Sequence, residues 1–168
     1  FENPHGLNDD TKNYSTAYDL ALLMTYAIKN KDFVNITRCK KYNVQGYTWY
    51  NKNKLLTDYK HLISGKIGYT TSSGQVYVSA STKDNKTLVI ASINESDKFN
   101  LHKKLYEEYF NKYRKYQVLD KNTFFVNNKN NDNYYILNDY YMLLKDNEKD
   151  NIKIEVHLNN DSNYLNVI

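Results

Sequence analysis

The run GKIGYT at residues 65 to 70 combines residue types that could take part in chemistry, because it sets one basic side chain between two glycines. A glycine has no Cβ, so another peptide backbone can lie closely against a strand at that position and pair with it. A lysine that points from such a strand into a cleft supplies a fixed cation for a carboxylate or an activated hydroxyl. The run also fits a solvent-facing lysine on an edge strand beside turn glycines, so alone it leaves both interpretations open.

Two β-rich segments follow this run and predict the sheet that would position it. Residues Gln75–Thr82 alternate apolar and polar side chains, as in a half-buried strand, and Lys86–Ile93 is also β-rich. The polar turn Lys83-Asp84-Asn85 between them predicts an antiparallel hairpin. We expect both segments to pair antiparallel with the Lys66 strand, and a helix over Asp97–Lys115 to pack on that sheet.

Helical spacing dominates the chain before the run. Over Ser15–Asn30 apolar side chains recur at i, i+3, i+4, i+7 and i+8, and Ser15 or Thr16 fits the N-cap position. A shorter helix is expected over Lys31–Cys39 and a strand over Val44–Tyr50. These elements precede the GKIGYT run and would form the same domain with it.

The sequence changes character near Tyr116. From there the runs YQVL, TFFV, YYIL, YYMLL and IKIEVHL alternate with turns rich in Asn, Asp and Lys. Short β-prone runs at this spacing are typical of a small all-β module. The sequence therefore predicts one domain over residues 1–115 and a β-rich second domain, either whole or truncated, over residues 116–168.

The basic charge, +4 with a pI near 8.9, raises the question of a nucleic-acid or membrane partner. Lys, Asn, Tyr and Ile are abundant whereas Arg and Pro are rare, which is the composition that AT-rich codons produce. Tyrosines interleaved with lysines could form a platform for single-stranded nucleic acid, but no RNA- or DNA-binding motif accompanies them. We therefore predict no nucleic-acid partner.

Residues that hold metals or cofactors are sparse. Cys39 is the single cysteine, which excludes an internal disulfide and a cysteine metal cluster. The histidines are too dispersed for metal-ligand spacing, and Glu107 and Glu108 point to different faces of a helix. The sequence therefore predicts no metal, no cofactor and no carboxylate dyad.

No stretch approaches the roughly 20 apolar residues of a membrane span. The chain opens on Phe1 without a secretory signal or an initial Met, which favours a fragment or a processed chain. Membrane association is therefore expected only through segments outside this chain.

Five segments, in order, resemble the second half of the catalytic domain of low-molecular-weight penicillin-binding proteins, the serine-type D-alanyl-D-alanine carboxypeptidases. GKIGYT is similar to the family's KTG motif, and the others are FENPHGL at 1 to 7, YSTAYDLALL at 14 to 23, NKNKLL at 51 to 56 and DKFNLHKKLYEEYF at 97 to 110. The resemblance covers residues 1 to about 115 well. For the remainder it rests only on the alternation of short β-prone runs with polar turns. It implies an α+β fold: part of a β-lactamase/transpeptidase-like domain, an antiparallel sheet with packed helices, followed by a small all-β module.

The resemblance also implies a function. The family hydrolyses the terminal D-Ala of peptidoglycan stem peptides through a serine acyl-enzyme, is inhibited by β-lactams and acts in the cell envelope outside the cytoplasm. Its nucleophilic Ser and partner Lys form an SxxK motif, and a second Ser and an Asn form an SxN motif, both upstream of the segment that FENPHGL resembles. The upstream half of the same protein would thus be a partner of this chain, and the isolated chain is expected to be inactive.

The family's site residues carry over to five positions. By resemblance, Lys66 supports proton transfer and attracts the substrate carboxylate, and Gly68 lets the substrate backbone approach. The backbone N–H of Tyr69 would be an oxyanion-hole donor, and Thr70 would belong to the substrate-binding residues. His5 would lie near the cleft, although a purely structural role in its loop is equally consistent with the sequence.

Two departures from the family pattern affect the binding of one substrate group. Ile67 replaces the Thr whose hydroxyl binds the terminal carboxylate in the family, and losing a hydrogen bond to a charged group costs about 1.5–3 kcal/mol. Lys98 stands where the family usually carries an Arg, so the charge remains but the bidentate fork is lost. The alternative hypothesis is therefore a catalytically silent relative that binds cell-wall peptide or a partner protein.

Overall fold

The computed structural model describes residues 1–6, 13–127, 133–158 and 163–167. The chain divides into two compact units, Phe1–Glu108 and Tyr109–Ile168, and the division falls within a helix. None of the helices in the described residues is both long enough and apolar enough to cross a membrane. The domain boundary near Tyr116 stays a sequence-based prediction, and Leu7 of the FENPHGL segment lies outside the described residues.

Helices α1 (Ala17–Ala27) and α2 (Lys31–Thr37) confirm the two helices predicted near the start of the chain. Thr16 caps α1, because its Oγ1 accepts a hydrogen bond from the backbone N–H of Asp19 at 3.0 Å. Asn30 caps α2, and its side chain accepts hydrogen bonds from backbone N–H groups of that helix. Helix α1 therefore ends before Asn30, where the sequence pattern had predicted its end.

Strands β1 (Lys41–Val44) and β2 (Tyr47–Tyr50) form a hairpin, so the prediction of one strand over Val44–Tyr50 is wrong. The pair Gln45-Gly46 has positive φ angles of 49° and 80°, which reverses the chain between the two strands. The register then places four apolar side chains on one exposed face of the hairpin: Tyr42, Val44, Tyr47 and Trp49.

Strands β3 (Leu62–Thr70), β4 (Gly74–Lys83) and β5 (Lys86–Ile93) form a three-stranded antiparallel sheet that carries Lys66. The strand order is β3-β4-β5, so β3 pairs with β4 but not with β5. The expectation that β5 also pairs with the Lys66 strand is therefore wrong. A turn at Asp84-Asn85, with φ angles of 51° and 56°, joins β4 to β5. The outer edge of β3 has no strand partner among the described residues.

Strand β4 is buried on both faces over residues 77–81, which corrects the prediction of a half-buried strand. On one face Val78 and Ala80 pack with Met24 of α1 in an apolar core. On the other face the side chain of Ser79 is fully buried and hydrogen-bonded inside the protein. The alternation correctly indicated two different faces, but internal hydrogen bonds allow the polar face to be covered as well.

Helix α4 (Lys98–Lys112) covers the polar face of β4. Ser79 Oγ lies 2.8 Å from Nδ1 of His102 and 2.7 Å from the hydroxyl of Tyr106. The helix predicted over Asp97–Lys115 and its packing on the sheet are therefore confirmed, although the helix is shorter than predicted. A short helix, α3 (Leu55–Asp58), leads into β3.

The second unit contains short antiparallel strand pairs. They are β6 (Arg114–Leu119) with β9 (Tyr140–Leu144), β7 (Phe125–Asn127) with β8 (Asn133–Tyr135), and β10 (Ile154–Leu158) with β11 (Asn163–Val167). A 3₁₀ turn lies at Lys149–Asn151. The strand content predicted from the aromatic and β-branched runs is confirmed, and β11 is an additional strand that those runs did not indicate.

Candidate active site

An open cleft of about 1020 Å³ lies between helix α1 and the β3-β4 pair. Its apolar wall consists of side chains from α1 and β4: Leu20, Leu23, Met24, Ala27, Val76 and Val78. The rim includes His5 and residues 66–70 of β3. The structure thus brings most of the predicted site residues to one cleft, whereas Lys98 is not among the residues that line it.

Lys66 is a basic group on the β3 side of the cleft. The register pairs Lys66 with Val78 and Gly68 with Val76, so these alternate residues of β3 face the same side as α1. Lys66 Nζ donates a hydrogen bond to the carbonyl oxygen of Ile67 at 2.5 Å. The side chain is exposed, and an ammonium carries three donors, so it can also meet an anionic group in the cleft.

The two glycines that flank Lys66, Gly65 and Gly68, differ in the space available for a side chain. A Cβ at Gly65 would lie 2.6 Å from Nδ2 of Asn53 and 3.1 Å from the hydroxyl of Tyr77, so the interior requires glycine there. A Cβ at Gly68 would meet no heavy atom of the described residues within 4 Å, and the φ of Gly68 is not positive. Within the part of the chain that the structure describes, neither packing nor backbone conformation therefore requires glycine at position 68, and the space beside its Cα is open.

The side chains of Ile67, Tyr69 and Thr70 differ in their location, exposure and hydrogen bonding. Ile67 pairs with Tyr77 and so lies on the α4 side of the sheet, although it also belongs to the rim of the cleft. The side chain of Tyr69 is 70% exposed. Thr70 Oγ1 lies 2.7 Å from Ser73 Oγ and accepts the backbone N–H of Ser73 at 3.1 Å, so this hydroxyl closes the turn into β4.

The segment before α1 reaches the cleft through His5, which is exposed and lines it. The backbone N–H of Gly6 donates to Oδ1 of Asn3 at 2.8 Å, and Gly6 has a φ of 76°. The Asn3 side chain therefore closes the turn that carries His5. The turn presents the imidazole of His5 at the rim.

Lys98 lies on the α4 side of the sheet. Its Nζ donates a hydrogen bond to Oε1 of Gln75 and lies 4.9 Å from the centroid of the Phe99 ring. The residue is only 9% exposed. Because Gln75 pairs with Tyr69 across β3 and β4, the ammonium of Lys98 is held beside the end of the Lys66 strand but outside the cleft.

A sequence model of the D-alanyl-D-alanine carboxypeptidase family matches residues 1–97. The chain belongs to this family. Among solved structures, the D-alanyl-D-alanine carboxypeptidase of Mycobacterium tuberculosis is 27% identical to the chain, with a TM-score of 0.53 over 58% of this chain and 40% of that one. None of the curated proteins matches the chain.

Two more distant structures share the fold of this carboxypeptidase-family chain over nearly its whole length. Penicillin-binding protein 5 of Haemophilus influenzae is 21% identical, with a TM-score of 0.69 over 94% of this chain and 49% of that one. The D-alanyl-D-alanine carboxypeptidase of Francisella tularensis is 18% identical, with a TM-score of 0.67 over 98% and 55% of the two chains. The chain thus spans about half, or less, of the length of these structures.

Behind the cleft, the carboxypeptidase-family chain contains a buried polar network that the sequence did not reveal. The two ring nitrogens of His102 lie 2.8 Å from Ser79 Oγ and 2.9 Å from Ser92 Oγ, and the ring stacks on Tyr77 at 4.4 Å between centroids. Burial lowers the pKa of His102 from 6.5 to about 4 and raises the pKa of Tyr77 to about 12. Both side chains are therefore neutral near pH 7.

Two short segments of the sequence contribute residues to this region, but neither of them indicated the network. Asn53, in the NKNKLL segment, is 2% exposed, and its Oδ1 accepts the Tyr77 hydroxyl at 2.9 Å, but nothing in the segment itself indicated a buried amide. Ser92-Ile93-Asn94 has the spacing of an SxN motif. Ser92, however, is bonded to His102 and is not among the residues that line the cleft, so this match carries no catalytic meaning.

Proposed function

We propose that this chain supplies one wall of the active site of a serine-type D-Ala-D-Ala carboxypeptidase that acts on peptidoglycan stem peptides. The observation that carries the proposal is the open space at Gly68, next to the Lys66 ammonium, on an outer strand of the sheet. Because neither the packing of the described residues nor the backbone conformation requires glycine at position 68, its missing side chain leaves room for the backbone of a bound peptide. An extended peptide can pair through main-chain hydrogen bonds with the outer edge of β3, which has no strand partner in the described ranges.

In this arrangement Lys66 provides positive charge where the carboxyl end of the peptide lies. Its ammonium stabilises the terminal carboxylate and supports proton transfer at a serine hydroxyl that another segment supplies. The backbone N–H of Tyr69 donates a hydrogen bond to the scissile carbonyl oxygen as negative charge develops there. His5 and Thr70 complete the substrate-binding rim, the latter by fixing the turn that follows β3.

The nucleophile comes from outside these 168 residues, because they contain no Ser-x-x-Lys sequence. We assign it to the upstream half of the same protein, together with the SxN pair. Helix α1 offers a surface for that half, since Leu22, Leu23 and Tyr26 are 45%, 53% and 62% exposed. Residues 1–115 would then be the C-terminal part of the transpeptidase-like catalytic domain, and residues 116–168 the β-rich second domain.

The same proposal gives the location and the inhibitors. Family members are cell-wall enzymes that act outside the cytoplasm, and we place this protein in the cell envelope with them. One of the structural relatives, that of Haemophilus influenzae, is a penicillin-binding protein by name, which supports β-lactams as inhibitors of the complete enzyme.

The isolated chain should not be labelled covalently by a fluorescent penicillin, because a β-lactam is opened by the nucleophile that this chain lacks. Co-expressed with the upstream half, the complex should be labelled and should release D-Ala from a D-Ala-D-Ala peptide. Gel fluorescence and a D-Ala assay measure the two outcomes. Replacing the SxxK serine of the upstream half by alanine is the control and should remove both signals. Stoichiometric labelling of the isolated chain would contradict the proposal.

A second candidate function is that of a silent relative that binds cell-wall peptide without cleaving it. It is favoured by the position of Lys98, whose ammonium is bonded to Gln75 instead of lining the cleft, and by the apolar Ile67 on the rim. A complex that binds the peptide but releases no D-Ala would support this candidate over the carboxypeptidase.

Replacing Ile67 with threonine should raise kcat/KM for a D-Ala-D-Ala peptide by about 10-fold or more, because a hydrogen bond to a carboxylate contributes at least that much. Ile67→Val is the matched control, since valine has the shape of threonine without the hydroxyl. Steady-state kinetics of the complete enzyme compare the two variants. Equal turnover by the threonine and valine variants would show that Ile67 does not stand in for a carboxylate contact.

A further inference from the structure

A chain of hydrogen bonds links β3, immediately before Lys66, to α2 and to the loop before α3. On the cleft side of the strand, Ser64 Oγ lies 2.7 Å from Oγ1 of Thr37, at the end of α2. Asn51 Nδ2 donates to the carbonyl oxygens of Thr37 and Cys39 at 3.2 and 3.0 Å. Asn51 Oδ1 in turn accepts the backbone N–H of Asn53 at 2.9 Å. The loop before α3 is therefore tied to α2, and through α2 to β3.

Asn53, at the end of this chain of hydrogen bonds, lies against the opposite side of the strand. Its Nδ2 lies 2.6 Å from the point where a Cβ of Gly65 would stand, and its Oδ1 accepts the hydroxyl of Tyr77 at 2.9 Å. Tyr77 is fully buried and pairs with Ile67 across the two strands. The Asn53 amide thus lies against β3 at Gly65, the residue before Lys66. It is also hydrogen-bonded to Tyr77 of β4, which pairs with Ile67, the residue after Lys66.

Burial makes this contact rigid. Asn53 is 2% exposed, and its Nδ2 has no hydrogen-bond partner among the described residues. The Tyr77 ring that holds its Oδ1 packs edge-on against Phe99 and stacks on His102, with centroids 5.2 and 4.4 Å apart. The amide can neither turn to solvent nor move away from Gly65 without displacing buried groups.

We propose that Asn53 is a positioning residue for the reaction. Together with Tyr77 it fixes the position of the β3 backbone at Gly65, and thereby the direction in which the Lys66 ammonium points into the cleft. The proposal rests on the proposed function, since it gives Lys66 its role. Asn53 does not line the cleft, so it acts through the strand and not on the substrate. A displacement of about 1 Å at a reacting group can lower a rate about 100-fold.

The test compares Asn53→Ala with Ser81→Ala in the complete enzyme. Ser81 is a matched control, because it is fully buried on the same strand face as Tyr77, bonds the carbonyl oxygen of His61 at 2.8 Å and pairs with Leu62 at the far end of β3. We expect Asn53→Ala to lower kcat about 10- to 100-fold while KM changes less than about 3-fold. Ser81→Ala should leave both nearly unchanged at a similar loss of melting temperature. Equal losses of kcat in the two variants, or none in Asn53→Ala, would overturn the proposal.

A second measurement uses the chain alone and needs no turnover. Hydrogen exchange of the β3 amides around Lys66 should accelerate in Asn53→Ala and not in Ser81→Ala, because only the former releases that part of the strand. If exchange responds as expected and the complete wild-type enzyme cleaves no peptide, the proposed function fails while the role of Asn53 in fixing the strand stands. Unchanged exchange in Asn53→Ala would overturn that role whatever the activity.

Discussion

Replacing Gly68 with alanine should lower kcat/KM for a D-Ala-D-Ala peptide about 100-fold or more without lowering the melting temperature of the chain. The methyl group would meet no heavy atom within 4 Å in residues 1–6, 13–127, 133–158 and 163–167, so we expect no steric loss of stability. A Gly→Ala change at such a site stabilises a protein by about 0.4–1 kcal/mol through the unfolded state. Under the proposed function, the methyl would instead occupy the space through which a substrate backbone approaches β3.

Gly65→Ala is the matched control for this experiment. Its methyl would lie 2.6 Å from Asn53 Nδ2, so this variant should lose stability as well as activity. Thermal unfolding of the chain, followed by far-UV circular dichroism, and kinetics of the complete enzyme separate the two cases. Full turnover by Gly68→Ala would mean that the open space beside Lys66 is not where the substrate lies.

Lowering the pH from 7.5 to about 4 should remove roughly 3 kcal/mol of the chain's stability through His102 alone. Burial holds its pKa at about 4 in the folded state, against 6.5 when the chain is unfolded. Between these values the unfolded state binds a proton that the folded state excludes, so the free energy of unfolding falls as the pH falls through this window. A difference of 2.5 pKa units corresponds to about 3 kcal/mol.

The variant His102→Gln isolates this effect from the carboxylates that titrate in the same range. Glutamine is neutral at every pH and has a donor and an acceptor for Ser79 and Ser92, the partners of the imidazole. Urea unfolding at pH 7.5, 6 and 4.5 should show a steeper loss of stability in the wild type than in the variant. Parallel losses in the two proteins would mean that His102 is protonated in the folded state without penalty.

Local sequence patterns predicted the elements well where one signal dominated. The apolar spacing before Asn30 and the turn at Asp84-Asn85 gave α1 and the β4-β5 hairpin. The hairpin at Gln45-Gly46 was missed because apolar residues lie on both sides of the turn, and the run looked continuous. The glycine at position 46 was the available signal, since a two-residue turn with positive φ angles favours it.

The candidate site was predictable only in part, for a different physical reason. Lys66 and Gly68 lie in one short run, so their common place on β3 follows from the sequence alone. The contact of Asn53 with Gly65 joins residues from separate elements and depends on the burial of a polar amide, which residue type alone argues against. For the same reason the resemblance placed Lys98 among the residues that bind the substrate carboxylate but could not indicate its hydrogen bond to Gln75.

The sheet that carries Lys66 is built from strands that follow one another directly in sequence. Thr70 pairs with Gly74 and Lys83 with Lys86, so both connections between its strands are short. Contacts between residues close in sequence form early in folding, and a hairpin closes in about 1–10 μs. We therefore expect the sheet that carries Lys66 to fold early. Under the proposed function, docking of the upstream half that bears the nucleophile would then complete the site in a later step.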